Sequence, residues 1–445
     1  MIKQKLSPIY FILFFLVLLA PATLQAKVYI DLEAPSIRQL PIAVQDFLYT
    51  GSPARNPEEE RLISSIRAEL VDALTSDIEF TRLFKVIPKE AFIEDPAEDR
   101  FAGKEINFRE WRMIGADTLV KGRFQIQGDR LTLDVRLFDC LRERLILGKR
   151  YIGSISNPRK LSHYFADKLY EELTGRKGIF TTKMLFISNA TGNKEVYASD
   201  YDGKNVVRLT RNGSINLSPQ WSPDGKKMLY TSYKNGWANI YMLDLRTGRD
   251  TVVSKKEGIN IGGRFSPDGK RVALTLSEEK SPELYILDLD SRDLTRLTDN
   301  YGIDVSPTWS PDGKKMAYVS DISGNPHIFV LDFPTGKTRR LTYKGKYNSS
   351  PAWSPDGDKI TFARSNTGAF NIWVASTNSD KEAQLTFEGN NISPSWSPDG
   401  RYIVFSSTVR GVSSIYIMQA DGTGLLKVTT GVGNETTPVW SPFLY

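Results

Sequence analysis

Trp221-Ser222-Pro223-Asp224-Gly225-Lys226 is the first of six copies of one short phrase in this chain. It returns as Phe265-Ser266-Pro267-Asp268-Gly269-Lys270, Trp309-Ser310-Pro311-Asp312-Gly313-Lys314, Trp353-Ser354-Pro355-Asp356-Gly357-Asp358 and Trp396-Ser397-Pro398-Asp399-Gly400-Arg401, and in shortened form as Trp440-Ser441-Pro442-Phe443. The lead aromatics stand 44, 44, 44, 43 and 44 residues apart. A fixed period of about 40–50 residues with strand-like contents marks a β-propeller, one four-stranded blade per repeat. Such a ring has two flat faces and a central channel, and function must be sought in sites on them rather than in the fold.

Each repeat divides into four strands. The first ends at the lead aromatic. Ser-Pro-Asp-Gly predicts a tight turn, with proline presetting φ, aspartate bonding the backbone and glycine taking the left-handed position. A second strand follows, as at Lys227 to Thr231 and Lys315 to Ser320. The third carries an aromatic at fixed phase: Tyr197, Tyr241, Tyr285, Phe329, Trp373 and Tyr416. These are expected to be core between blades. The fourth is short and usually ends in Leu-Thr, as at Leu209-Thr210, Leu297-Thr298, Leu341-Thr342 and Leu385-Thr386. Residues near Lys183 open a repeat that has no first strand before it, and Glu435 to Trp440 is a first strand with nothing after it. The end of the chain should therefore complete the blade of residues 183–210 and close the ring, which removes its open edges.

Five residues before each lead aromatic stands a polar residue: Asn216, Asn260, Asp304, Asn348, Asn391 and Glu435. The first strand of a blade lines the channel, so these six are expected to ring one mouth and to serve as partner-binding residues. Asn and Asp also start turns well, which is the other reading. As residues of the mouth rather than of the inter-blade core, they are expected to be replaceable with little loss of thermal stability.

Residues 27–175 show no repeat and read as one small α/β domain, with 176–182 as linker and 183–445 as an all-β six-bladed propeller. Pro41-Ile42-Ala43-Val44 with Phe47 reads as a buried strand. Asn56-Pro57-Glu58-Glu59-Glu60 reads as a helix start: Asn caps, Pro suits the first position, and carboxylates suit the positive end. Leu62, Ile66, Leu70 and Leu74 should form its inward stripe. Strands are predicted over Asp117 to Ile126 and Leu131 to Phe138, around a Gly128-Asp129 turn, and over Arg144 to Tyr151. A last helix, started by Asn157-Pro158 and stopped by Gly175, should bury Leu161, Phe165, Leu169 and Leu173.

Residues 1–26 have the pattern of an export signal: Lys3 and Lys5, the apolar run Ile9 to Ala20, and a small-residue cleavage site at Leu24-Gln25-Ala26, with Ala20-Pro21-Ala22 as the alternative. The run is shorter than the roughly 20 residues a spanning helix needs. The expectation is an exported, soluble monomer without a membrane span. The net charge of +6 falls to +4 without Lys3 and Lys5. No basic run tracks a phosphate backbone, so nucleic acid is not expected as a partner. The single cysteine, Cys140, rules out an intrachain disulfide and reads as a small core residue. No Gly-x-Ser-x-Gly elbow, zinc-spaced cluster or glycine-rich phosphate loop is present, and the histidines His163 and His327 fall in different domains. No catalytic residue, metal or cofactor is expected.

The whole arrangement resembles the TolB family of the Tol–Pal system, periplasmic propeller proteins of Gram-negative envelopes. Three local stretches carry the likeness beyond the repeats: Leu173-Thr174-Gly175-Arg176-Lys177-Gly178-Ile179-Phe180-Thr181-Thr182 at the domain junction, Ser199-Asp200-Tyr201-Asp202-Gly203-Lys204-Asn205, and Pro438-Val439-Trp440-Ser441-Pro442. The resemblance implies a non-enzymatic adaptor in outer-membrane integrity and constriction during cell division. It implies that one propeller face binds the peptidoglycan-associated lipoprotein Pal. It also implies that the mature N-terminus, from Lys27 through Val28, Tyr29, Ile30, Asp31 and Leu32 to about Arg38, contacts the inner-membrane protein TolA. Other outer-membrane or peptidoglycan-associated partners are compatible with it. The segment Asn260-Ile261-Gly262-Gly263-Arg264 departs from the repeat pattern, with glycine where Ser/Thr-Pro is usual. The alternatives are the propeller of an exported hydrolase or lyase, and a carbohydrate- or calcium-binding propeller.

Overall fold

The computed structural model describes residues 30, 38–95, 98, 100–277, 281–429, 431 and 433–444. The export signal, and all of the N-terminal arm except Ile30 and Arg38, lie outside the described residues.

The amino-terminal part is a mixed sheet in the order Phe84–Val86, Leu40–Val44, Thr118–Gln127, Arg130–Asp139, Arg144–Ser154. Leu40–Val44 pairs in parallel with both neighbours, and the last three strands are antiparallel. Strand alternation gives the sheet two buried faces. Ile42, Val44 and Val120 pack under the helices Pro57–Phe80 and Arg159–Thr174, while Ala43, Leu119 and Phe138 join Trp111 and Cys140 on the other side. The long helix starts as its sequence dictates, the Asn56 side chain accepting from the Glu59 N–H at 2.9 Å with Pro57 behind it. Its inward stripe begins at Ile63 rather than Leu62, which is exposed. At 3.6 residues per turn, either neighbour could have continued the row from Ile66. Gly175, at φ 70°, ends the second long helix.

The ring consists of six four-stranded antiparallel sheets. Five follow the chain without interruption. The sixth joins Glu435–Trp440 to Lys183–Ser188, with Glu435 opposite Ser188 and Trp440 opposite Met184, so the end of the chain closes the ring. Third-strand aromatics stack across the strand pair on second-strand rings: Phe186 on Tyr197, Tyr230 on Tyr241, Tyr318 on Phe329 and Phe405 on Tyr416, with centroids 5.7–6.0 Å apart. Aromatic cross-strand pairs of this kind are a main source of sheet stability.

The repeated phrase also ties each blade to the one before it. In the turn, Ser222 Oγ donates to Asp224 Oδ1 at 2.6 Å and Asp224 accepts from the Lys226 N–H at 3.0 Å. Gly225 takes φ 68°. Across blades, Gly313 lies over Pro267 with room for a Cβ only 3.7 Å from the ring, and Gly357 lies over Pro311 in the same way at 3.5 Å. Lead indoles reach the preceding first strand: Trp221 Nε1 donates to Val439 O, Trp309 Nε1 to Arg264 O and Trp396 Nε1 to Ala352 O, at 3.1–3.2 Å.

The two parts meet on the face that carries these turns. Phe80 of the long helix packs on Tyr201 and Tyr402, with centroids 5.2 and 4.7 Å away. Buried Asp77 accepts from Tyr201 OH at 2.6 Å and pairs with His163 Nδ1 at 2.7 Å. Burial opposes a charge on His163, but the Asp77 carboxylate beside it raises its pKa. Asp167 fastens the linker, accepting from the Phe180 N–H at 2.8 Å and from Thr181 Oγ1 at 2.5 Å, and burial raises its carboxyl to about 6.

Candidate functional site: the two mouths of the ring

Every first strand runs from one mouth of the channel to the other. Its start carries the six polar residues, and its end carries the Ser-Pro turns and the docked amino-terminal domain. The strands are not regular. Pairing to the second strand slips between Leu217 and Gln220, and at the matching point in the other five blades. At each slip one residue takes positive φ: Ser218 51°, Gly262 72°, Ser306 56°, Ser350 52°, Ser393 56° and Thr437 52°. Non-glycine residues held there cost of order 1–3 kcal/mol each, and such strain gathers at functional surfaces. Gly262 thus has a local reason. Gly263 has another: a Cβ there would sit 3.3 Å from Leu229 and Ile240 side-chain atoms.

The six polar residues lie at the starting mouth, but their side chains do not face the channel. Asn216, Asn260, Asp304, Asn348, Asn391 and Glu435 are all buried. Each turns inward, to the loop that enters its strand or to neighbouring strands and hairpins. Asn216 Nδ2 donates to Lys194 O at 2.9 Å and to Glu195 Oε2 at 3.0 Å. Asn260 Oδ1 accepts from Ser254 Oγ and the Lys256 N–H, and its Nδ2 donates to Lys256 O. Asp304 accepts from Asn300 Nδ2 at 2.8 Å, and burial raises its carboxyl. Asn348 holds His327 Nδ1 and accepts from Arg364 Nε, whose guanidinium grips Glu382 with two bonds of 2.9 Å. Asn391 donates to Glu388 O, and Glu435 accepts from Thr429 Oγ1. The expectation of near-neutral replacement is therefore corrected. Asn260→Ala strands buried donors and acceptors and should destabilise by about 1–3 kcal/mol, which thermal unfolding of the single variant would read.

Among exposed charged residues such as Lys255, Lys344, Lys346 and Glu388, this mouth also exposes large apolar side chains. The residues directly before the first four polar ones, Ile215, Ile259, Ile303 and Tyr347, are all exposed, at 41–46%. Around them on the same face, Trp237 is 76% exposed, Tyr301 84%, Tyr343 70% and Phe387 75%. Sequence reasoning missed this ring, because an apolar residue entering a strand reads as core. Its only signal is the recurring apolar-polar pair at the strand start.

At the opposite mouth lies a cavity of about 580 Å³, lined by the lead aromatics, their Ser-Pro turns and the slipped residues. Of the other residues named above, His327 is buried and its pKa is lowered to about 4, by burial first and then by Arg340 and Arg364. Burial pushes the Cys140 thiol up to about 12. Ile30 is buried, and its N–H donates to Leu173 O at 2.7 Å, against the end of the junction helix. Among the described residues no helix is long and apolar enough to cross a membrane, and no three His, Cys, Asp or Glu side chains come together in a metal-holding group.

Comparison with known proteins agrees with this architecture. Residues 170–444 match the TolB beta propeller domain and residues 28–146 the TolB amino-terminal domain. The Tol-Pal system protein TolB of Desulfosudis oleivorans is 42% identical over 212 residues, 47% of each chain. That of Syntrophotalea carbinolica is 41% identical over 218 residues, 49% of each. The chain thus spans about half the length of the curated relatives it matches. The crystal structure of TolB from Acinetobacter baumannii superposes with a TM-score of 0.77 at 27% identity, covering 91% of this chain and 97% of that one. By its closed six-bladed ring, its amino-terminal domain and these matches, the chain belongs to the TolB family.

Proposed function

We propose that this chain is a periplasmic, non-enzymatic adaptor of the Tol–Pal envelope complex, serving outer-membrane integrity and constriction during cell division. Its starting mouth binds Pal, and its mature N-terminus binds TolA. The observation that carries the first contact is the exposed apolar ring of Ile215, Ile259, Ile303 and Tyr347 with Tyr301 and Phe387 beside it. Large apolar side chains exposed blade after blade on one face, with polar residues between them, are the composition of an interaction surface. Asn216, Asn260, Asp304, Asn348, Asn391 and Glu435 support the site from beneath by fixing the loops that present it. The ligand class that fits is a folded protein domain offering an apolar loop to a rigid, shallow mouth. The names of the relatives support membership of the Tol–Pal system.

Titration calorimetry with the soluble domain of the cognate Pal tests this reading. Tyr301→Ala combined with Phe387→Ala should weaken binding at least about tenfold, or about 1.4 kcal/mol, with thermal stability unchanged. Unchanged affinity would remove the face from consideration. For the arm, deletion of residues 27–38 should abolish capture of the TolA periplasmic domain while Pal binding persists. The Ile30 contact with Leu173 supports an arm that has a docked state to exchange against a bound one.

A further inference from the structure

The cavity at the other mouth has an unusual charge distribution. Arg264 is the one charged side chain among its described lining residues. The surrounding polar groups include the hydroxyls of Ser218, Ser306, Ser350, Ser393 and Thr437, with Gln220 and Thr308 at the position of Arg264 in the two flanking blades. Arg264 makes no side-chain hydrogen bond or ion pair among the described residues, and its Nη1 is fully buried without an acceptor. Arg264 as a whole is half-buried, but a guanidinium nitrogen taken out of water without an acceptor or counter-charge is costly, and in folded proteins such groups are normally paired. Nothing nearby offsets this one: burial alone lowers its pKa, to about 10. Its backbone is already engaged, since Arg264 O accepts from Trp309 Nε1 at 3.2 Å, so the residue's place in the strand is fixed while its head is unspent.

We propose that this cavity is an anion site, in which Arg264 receives the carboxylate of an organic monoanion and the ring of hydroxyls completes its hydrogen bonding. One cation without a second beside it matches a single negative charge. A guanidinium presents paired N–H donors in the geometry of a carboxylate. The remaining walls are tryptophan and proline faces, from Trp221, Trp309, Trp353, Trp396 and Trp440, which suit the body of an organic ligand rather than a bare ion. The carboxylate can come from a free small acid or from an acidic side chain of an inserted peptide. The site lies at the opposite end of the channel from the apolar face and does not depend on what that face binds.

The test uses the full chain and four probes: N-acetylglycine, its neutral amide, a pentapeptide Gly-Gly-Glu-Gly-Gly blocked at both ends, and the same peptide with Gln for Glu. Binding is followed by the fluorescence and indole N–H resonances of the cavity tryptophans. At least one carboxylate probe should bind with Kd of about 1 mM or tighter, and about tenfold or more tighter than its neutral partner. Arg264→Gln should abolish that preference, and Arg264→Lys should keep part of it. The tighter of the two carboxylate probes identifies the source. Arg264→Gln should not lower the thermal midpoint, because it removes a half-buried charge that makes no ion pair among the described residues. Should Arg264→Gln fail to fold, the carboxylate-over-amide preference of the wild-type chain still decides. The proposal is overturned if neither carboxylate binds, if the neutral probes bind equally well, if Arg264→Gln retains the preference, or if inorganic phosphate outcompetes both carboxylates.

Discussion

A chain lacking residues 435–445 should lose the cooperative unfolding of the propeller altogether, while the amino-terminal domain stays folded. The truncation removes the first strand of the blade whose other strands are Lys183–Ser188, Glu195–Asp200 and Val207–Arg208. The backbone groups of Lys183–Ser188 that pair with it would become an open edge inside the ring. Three further ties would go with it: Trp221 Nε1 to Val439 O, Trp440 Nε1 to Thr182 Oγ1 at 2.8 Å, and Ser441 Oγ accepting from the Lys183 N–H at 3.0 Å. Flanking blades cannot close over the gap, because each is already paired edge to edge in its own sheet. Calorimetry with limited proteolysis checks the outcome. A truncated chain that melts in one transition at the original temperature would contradict the closure energetics.

The second large effect is expected at the domain junction. Asp77→Ala should destabilise by about 3–5 kcal/mol, since it breaks a buried pair and leaves the remaining member uncompensated. His163 and the Tyr201 hydroxyl both lose their acceptor, and neither is exposed enough to recover it from solvent. The aromatic contact of Phe80 with Tyr201 and Tyr402 rests on the same helix end. Unfolding of the variant should take place in two steps, with the amino-terminal domain released first and the ring melting later. Early proteolytic cleavage within residues 176–182 would accompany it. A variant that unfolds in one unchanged transition would show that the pair contributes nothing to docking.

Much of this was legible from residues alone, for reasons that differ by position. The ring and its closure could be read because Ser-Pro-Asp-Gly dictates its turn locally and the Trp-led repeats leave one strand over at the end of the chain. Asn56-Pro57 could be read because a cap is a short-range event. The departure at Gly262-Gly263 was visible, but its cause was not: a left-handed residue beside a close approach of Ile240 and Leu229 appears only once blades are assembled. The direction of the six polar side chains was equally hidden. A polar residue at a strand start gives the same pattern whether it turns outward to a partner or inward to Lys194 O and Lys256 O, as Asn216 and Asn260 do. Arg264 stood inside the quoted segment, and no local rule distinguishes an unpaired arginine from a solvated one.

The stacking of each turn glycine on the proline of the preceding blade makes the two faces unequal as material for change. On the Ser-Pro-Asp-Gly side, lengthening one loop displaces its neighbour, as the 3.5–3.8 Å spacings at Gly269, Gly313 and Gly357 show. On the other side, Gly192, Gly236, Gly324, Gly368 and Gly411 have nothing within 4 Å of a would-be Cβ. The tips of those hairpins can be lengthened or recoded one at a time, provided the carbonyls that hold the next first strand, such as Lys194 O and Pro326 O, are kept. In evolution and in the laboratory, the molecule is a fixed base plate with an interchangeable front, and new recognition can be grafted blade by blade onto the side that carries the apolar ring.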